Sequence, residues 1–289
     1  LLAEVRRPTR SVTASPKWLR VAYGVAEQLD IEVSSDTEAM LLLSLVVGVR
    51  SPDTGGHSAA NITQLRTLHA DPEAEGQYLH ALRAPDDDGL EGNAAAVAGT
   101  RRSIRRTLEQ AVAAHQLPEE EQFGRATIYV DFYGEVPVPV WWPAYYFARA
   151  AHTVQDSFSH MLRHEESDLH EVVHVLNYVD AITLGYQEER DGLAHSGARD
   201  SCAGDTDESV AAATAATLEL MEVWALAMSD EHDLLPDEFL DRWFVLRTGC
   251  SLENEMCGNP EAIALARQHP TGPYLPVQRH RSKRRAKKR

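Results

Sequence analysis

The chain has 289 residues, 43% of them hydrophobic and 25% charged, a globular composition with room for one large domain. Its net charge is −16, and setting aside the eight Lys and Arg of the last eleven residues leaves −24, so the body repels bulk polyanions and general nucleic-acid binding is disfavoured. The most apolar run, Met40 to Val49, is interrupted by Ser44 and Gly48 and falls well short of the roughly 20 residues that cross a bilayer, so it reads as a buried helix.

Residues 1–17 lack apolar periodicity and mix Arg, Pro, Ser and Thr, which predicts a flexible arm. Since the first residue is Leu1, a processed product or fragment is expected, from which any export signal has already been lost. A helical domain is expected over 18–275. Trp18 opens its first helix, Asp36 is placed to cap a second over Thr37–Arg50, and the Ser51–Gly56 stretch ends it. Apolar spacing and end signals predict further helices at Ser58–His69, Pro72–Leu82, Asn93–His115, Trp142–His164, Leu169–Ile182, Glu208–Met228 and Pro236–Arg247. Between 125 and 140, Thr, Ile, Tyr, Val and Phe cluster around Gly134 and predict a short β-hairpin. The expected fold is therefore all-α, a multi-helix single domain with that hairpin as its exception. Residues 276–289 read as a basic disordered tail. Cys202, Cys250 and Cys257 lack the short paired spacing of a zinc finger or redox motif; a Cys250–Cys257 or Cys202–Cys250 disulfide and three inert thiols both stay open.

Within Trp142–His164, Phe147, Ala151, Val154, Phe158 and Leu162 form an apolar stripe for the core. A second stripe holds His152, Asp156 and His160 at i, i+4 and i+8, each about 40° round from the last. The outer two lie about 12 Å apart along the axis, too far for one tetrahedral ion, so a bridging role for Asp156 between two cations is expected. The predicted next helix adds His170 and His174 one turn apart, and a helix hairpin would bring the two histidine faces together. Upstream, Asp53 and His57 near the Ser51–Gly56 turn, and His80 on its helix, are candidates to complete the shell. A lone helical histidine is more often simply hydrogen-bonded; the joint pattern of imidazoles and carboxylates is what points to zinc.

The string Ala151-His-Thr-Val-Gln-Asp-Ser-Phe-Ser-His160, with the histidines after it, resembles the zinc-dependent phospholipase C and single-strand-specific nuclease superfamily. The resemblance implies an all-helical domain binding zinc through a His-x-x-x-Asp segment, a later His and a further pair, with Asp and His ligands upstream. His152, Asp156 and His160 match the first part. The step from Asp156 to His160 is two residues shorter than in that family, and His170 and His174 stand where it has His and Glu. That family also uses an amino-terminal tryptophan as ligand, which would here require cleavage between Lys17 and Trp18.

The activity implied by the resemblance is that of a phosphoric-ester hydrolase, secreted or periplasmic, with two or three zinc ions on His57, His80, His152, Asp156, His160, His170 and His174, and Asp53 as base. Phospholipid is preferred to nucleic acid because of the acidic body, with peripheral membrane contact through Trp141, Trp142, Tyr145 and Tyr146 unless these belong to the core. Two other readings compete: a non-catalytic helical protein with a structural zinc site, and a nuclease of the same superfamily. Asp86-Asp87-Asp88-Gly89 offers a calcium turn, whose plainer reading is an exposed acidic loop.

Overall fold

A computed structural model describes residues 15–58, 61, 74–89, 91–130, 133–164, 167–178, 186–195, 207–229, 236–249 and 263. The protein is mostly helical. The described residues form helices α1 (Pro16–Gln28), α2 (Asp36–Thr54), α3 (Ala74–Leu79), α4 (Glu91–His115), α5 (Trp142–His160), α6 (Glu188–Asp191), α7 (Asp207–Ala227) and α8 (Asp237–Trp243). Strands β1 (Phe123–Val130) and β2 (Gly134–Trp141) make the expected hairpin, and β3 (Met161–Arg163), β4 (Glu171–Val175) and β5 (Val245–Leu246) make a small sheet in the order β3-β4-β5. Residues 1–14 of the predicted N-terminal arm, most of the predicted helix Ser58–His69, all three cysteines and the basic tail lie outside the described residues, while Pro16 and Lys17, predicted as the end of the arm, already belong to α1, with Pro16 preset for a first helical turn.

Helix α2 is capped one residue earlier than the sequence suggested. Ser35 Oγ accepts the Glu38 N–H at 3.2 Å, satisfying one free amide of the first turn, while the Glu38 carboxylate reaches back to accept from Ser34 N, just before the cap, at 2.6 Å. The helix also runs past Arg50 and through Pro52. Proline has no N–H to give the Gly48 carbonyl, and the Ser51 hydroxyl donates to that carbonyl instead, at 2.9 Å. Gly55, at φ 53°, then ends the helix in the left-handed conformation.

Helix α5 is the central element, and Phe147 on it stacks on Trp224 of α7 with centroids 4.4 Å apart. Helix α2 crosses α5 so closely that a Cβ on Gly48 would lie 2.4 Å from the Tyr145 carbonyl oxygen and 2.7 Å from Ala148 Cβ. A second apolar cluster joins α1, α2 and the hairpin and includes Trp18, whose amide donates to the Ser15 carbonyl at 2.9 Å as part of helix α1. Trp141 is buried, whereas Trp142 stacks on Tyr146 at 5.7 Å and both are half-buried. In α7, Glu208–Ala227 is long and apolar enough to cross a membrane, a property that the apolar run at Met40–Val49 lacks. One face of it, with Ala216, Leu220, Trp224 and Met228, packs into the core, and Val210, Leu218 and Leu226 are exposed.

Three predicted helices need correction. The segment predicted as Trp142–His164 is helical only to His160, where the chain turns extended at Met161 and pairs with Val175. Leu169–Ile182 is not helical in its described part: Val172, Val173 and Val175 form a buried strand, because β-branched side chains buried on both faces suit a central strand. Strand β5 pairs parallel to it and occupies the end of the predicted helix Pro236–Arg247.

Candidate metal centre

Three elements converge on one point. The last turn of α2 carries Asp53, made possible by the helix continuing beyond Arg50. His80 follows α3, where its N–H donates to the Gln77 carbonyl at 3.0 Å and Ala81 adopts φ 52° to redirect the chain. Helix α5 pins this turn twice: Thr153 Oγ1 donates to the Leu79 carbonyl at 2.8 Å, and His160 Nδ1 donates to that of His80 at 2.5 Å. Its own contribution is His152 and Asp156, one turn apart.

Asp156 Oδ2 lies 3.0 Å from His152 Nε2 and 3.1 Å from His80 Nδ1, and the two nitrogens are 3.2 Å apart. Asp53 Oδ1 is 3.6 Å from the first nitrogen and 3.7 Å from the second, and donor atoms of all four residues fall within 4.8 Å of one another. A tetrahedral ion with bonds of about 2.0–2.1 Å keeps its ligand atoms roughly 3.3 Å apart, so these spacings are those of a single coordination tetrahedron. Asp53, His80, His152 and Asp156 thus form a group that could hold a metal ion. The side chains of His80 and His152 are almost wholly buried, Asp156 is 21% exposed and Asp53 46%.

Electrostatics ties the group together. Burial works against ionising Asp156, yet the charges of His152 and His160 and the hydrogen bonds from His152 and His80 hold its carboxyl well below the usual carboxylate range. Burial likewise opposes protonation of His152, but the Asp156 charge and hydrogen bond, with Asp53 behind them, raise its pKa. Asp53 goes the other way: partial burial, helped by the Asp156 charge, pushes its carboxyl up against the pull of the histidines.

The remaining sequence candidates sit elsewhere. His160 stands beside the group, 3.8 Å from Asp156 Oδ2, with its Nδ1 engaged by the His80 carbonyl. The same oxygen of Asp156, Oδ2, faces His80, His152 and His160. His57 Nδ1 lies 2.6 Å from Glu135 of the hairpin. His170 packs edge-on against Trp243 at 4.4 Å, and His174 Nε2 accepts the Leu193 N–H at 3.0 Å. Positions 170 and 174 flank or lie in extended chain, about 13 Å apart rather than one helical turn, so they cannot chelate one ion as a pair. In the acidic turn Asp86 and Asp88 are exposed, as the plainer reading expected, but Asp87 is turned inward. Asp87 is buried and accepts from Ala84 N at 2.8 Å and Tyr78 Oη at 3.1 Å, while burial, then the Asp87 charge, pushes the Tyr78 hydroxyl up to about 12.

A cavity of about 440 Å³ opens beside Asp156 between α5 and α7. Phe158, Val210 and Leu218 give it apolar walls, Gln155, Thr214 and Thr217 add neutral polar groups, and Asp156 is the one charged residue among the described residues of its lining. The chain matches no family model, no curated protein and no solved structure.

Proposed function

We propose that this chain is a zinc-dependent phosphoric-ester hydrolase in which His80, His152 and Asp156 hold the ion and Asp53 is the base. The observation that carries the reading is the asymmetry of the group: three mostly buried donors within 3.2 Å of one another, and a fourth, the Asp53 carboxylate, half exposed and a few tenths of an ångström farther out. Catalytic zinc sites characteristically use three protein ligands and keep one position for water or substrate. When bound, the ion supplies a water of lowered pKa and offsets charge on the phosphate oxygens. The raised pKa of Asp53 suits it to take a proton from that water and return it to the leaving oxygen. Thr153 and His160 hold the His80 turn against α5, so the donor spacing is set before any ion arrives. Among the described residues there is one such group, which supports a single ion in place of the two or three that the resemblance implied.

The adjoining cavity argues for the substrate class. Its walls carry no cation and much apolar surface, in a chain of net charge −16, which favours a phospholipid over a polynucleotide. Val210 and Leu218, at the cavity and exposed, with Leu226 farther along α7, offer the apolar contact with a lipid surface.

A second reading is a structural site with Asp53 as fourth ligand, favoured by the 4.8 Å limit that encloses all four donors. Zinc content and turnover of bis(p-nitrophenyl) phosphate separate the two. The hydrolase reading predicts that Asp53→Asn keeps its zinc and loses about 10²–10⁴-fold in kcat. Loss of zinc in Asp53→Asn, no turnover by the wild type and unfolding by chelator would establish the structural reading instead.

A further inference from the structure

A second cavity, of about 750 Å³, lies between α1, α2 and β1, within the size range of small-molecule sites. Val25, Leu43 and Val47 give it an apolar floor, and Arg20 and Arg50 stand at its edge with His57. Among the described residues no carboxylate lines it, although Asp and Glu outnumber Lys and Arg by 44 to 28 in the chain. Glu135 of the hairpin is engaged with the lining residue His57 at 2.6 Å. Among the described residues neither Arg20 nor Arg50 has an ion-pair partner. Two exposed guanidiniums at the edge of an apolar chamber can offer charge-assisted hydrogen bonds to an anion, and an apolar body attached to it would fill the space beneath.

We propose that this cavity binds an aliphatic anion, its carboxylate or phosphate head between Arg20 and Arg50 and its chain along Val25, Leu43 and Val47. The site is separate from the metal group and does not depend on the hydrolase reading. The glycine at position 24 lines the cavity from α1, and a Cβ there would meet nothing within 4 Å. A large side chain at that position therefore grows into the chamber without disturbing the helix.

The test is calorimetric titration of the full-length protein with decanoate and with decyl phosphate, both below micelle formation, against decyltrimethylammonium, which carries the same tail with the opposite charge. Saturable one-to-one binding of at least one anion is expected, together with none of the cation. The two anions tell which head the arginines prefer. The Arg20→Gln/Arg50→Gln variant should weaken binding by about tenfold or more, as expected for loss of charge-assisted hydrogen bonds. Gly24→Phe should abolish it while melting at or above the wild-type temperature. Equal affinity for the cation, no saturable binding of either anion, or undiminished binding by a folded Gly24→Phe protein would overturn the proposal.

Discussion

Replacing Gly48 with alanine tests how the fold sets the spacing of the metal group. The added Cβ would sit 2.4 Å from the Tyr145 carbonyl oxygen and 2.7 Å from Ala148 Cβ, against 3.4 Å or more in ordinary contact, and neither neighbour can swing aside. Helices α2 and α5 must part by about 1 Å, a degree of overpacking that costs about 1–3 kcal/mol. Alanine also returns roughly 0.5–1 kcal/mol because glycine is a poor helix former, so the net loss is the smaller. Gly24→Ala isolates the packing cost: it sits in a helix with open space around its Cβ and should gain that propensity with no penalty. Urea unfolding of both variants should therefore differ by about 1–3 kcal/mol, Gly48→Ala being the less stable. Because Asp53 rides on α2 and His152 on α5, the 3.6 Å gap between them widens as well, so turnover falls with stability while the zinc stays on His80, His152 and Asp156. Equal stabilities in the two variants, or an unaltered turnover in Gly48→Ala, would refute this account of the crossing.

The site itself carries two more predictions. His160→Ala removes the hydrogen bond that holds the His80 carbonyl and should weaken zinc about 10–100-fold while leaving the ion bound, whereas His170→Ala, packed on Trp243, should leave the affinity unchanged; titration against a chromophoric chelator decides. In the metal-free protein the raised pKa of His152 contributes stability that is complete below about pH 6.5 and is lost as pH rises through its folded value, and the depressed pKa of Asp156 contributes stability present above about pH 4 and lost as pH falls through its own. Zinc needs neutral imidazole, so its affinity should rise with pH and its binding should release protons, countable from titrations in buffers of different ionisation enthalpy; proton-free binding with a pH-independent affinity would contradict the coupling.

The helical class and the hairpin were legible because both rest on local signals: long apolar periodicity, and β-branched and aromatic residues around Gly134. His152 and Asp156 were legible for the same reason, since a spacing of four fixes their relation once the helix is granted. The segment around His174 misled because four-residue spacing reads equally as one helical turn. The run Val172, Val173, Val175 was the counter-signal, and its pairing with Met161–Arg163 decided for strand. Asp53 and His80 could be named but not placed. Their meeting depends on a helix that continues through Pro52, on a left-handed Ala81, and on a helix crossing permitted by Gly48, all contacts between positions distant in sequence.

Crystals grown with zinc and measured on both sides of its absorption edge would test the central claim most directly. The account predicts one strong anomalous peak about 2.0–2.2 Å from His80 Nδ1, His152 Nε2 and a carboxylate oxygen of Asp156, with the remaining position open beside Asp53. A peak on His57, His170 or His174 instead, or no peak among these residues at saturating zinc, would contradict it.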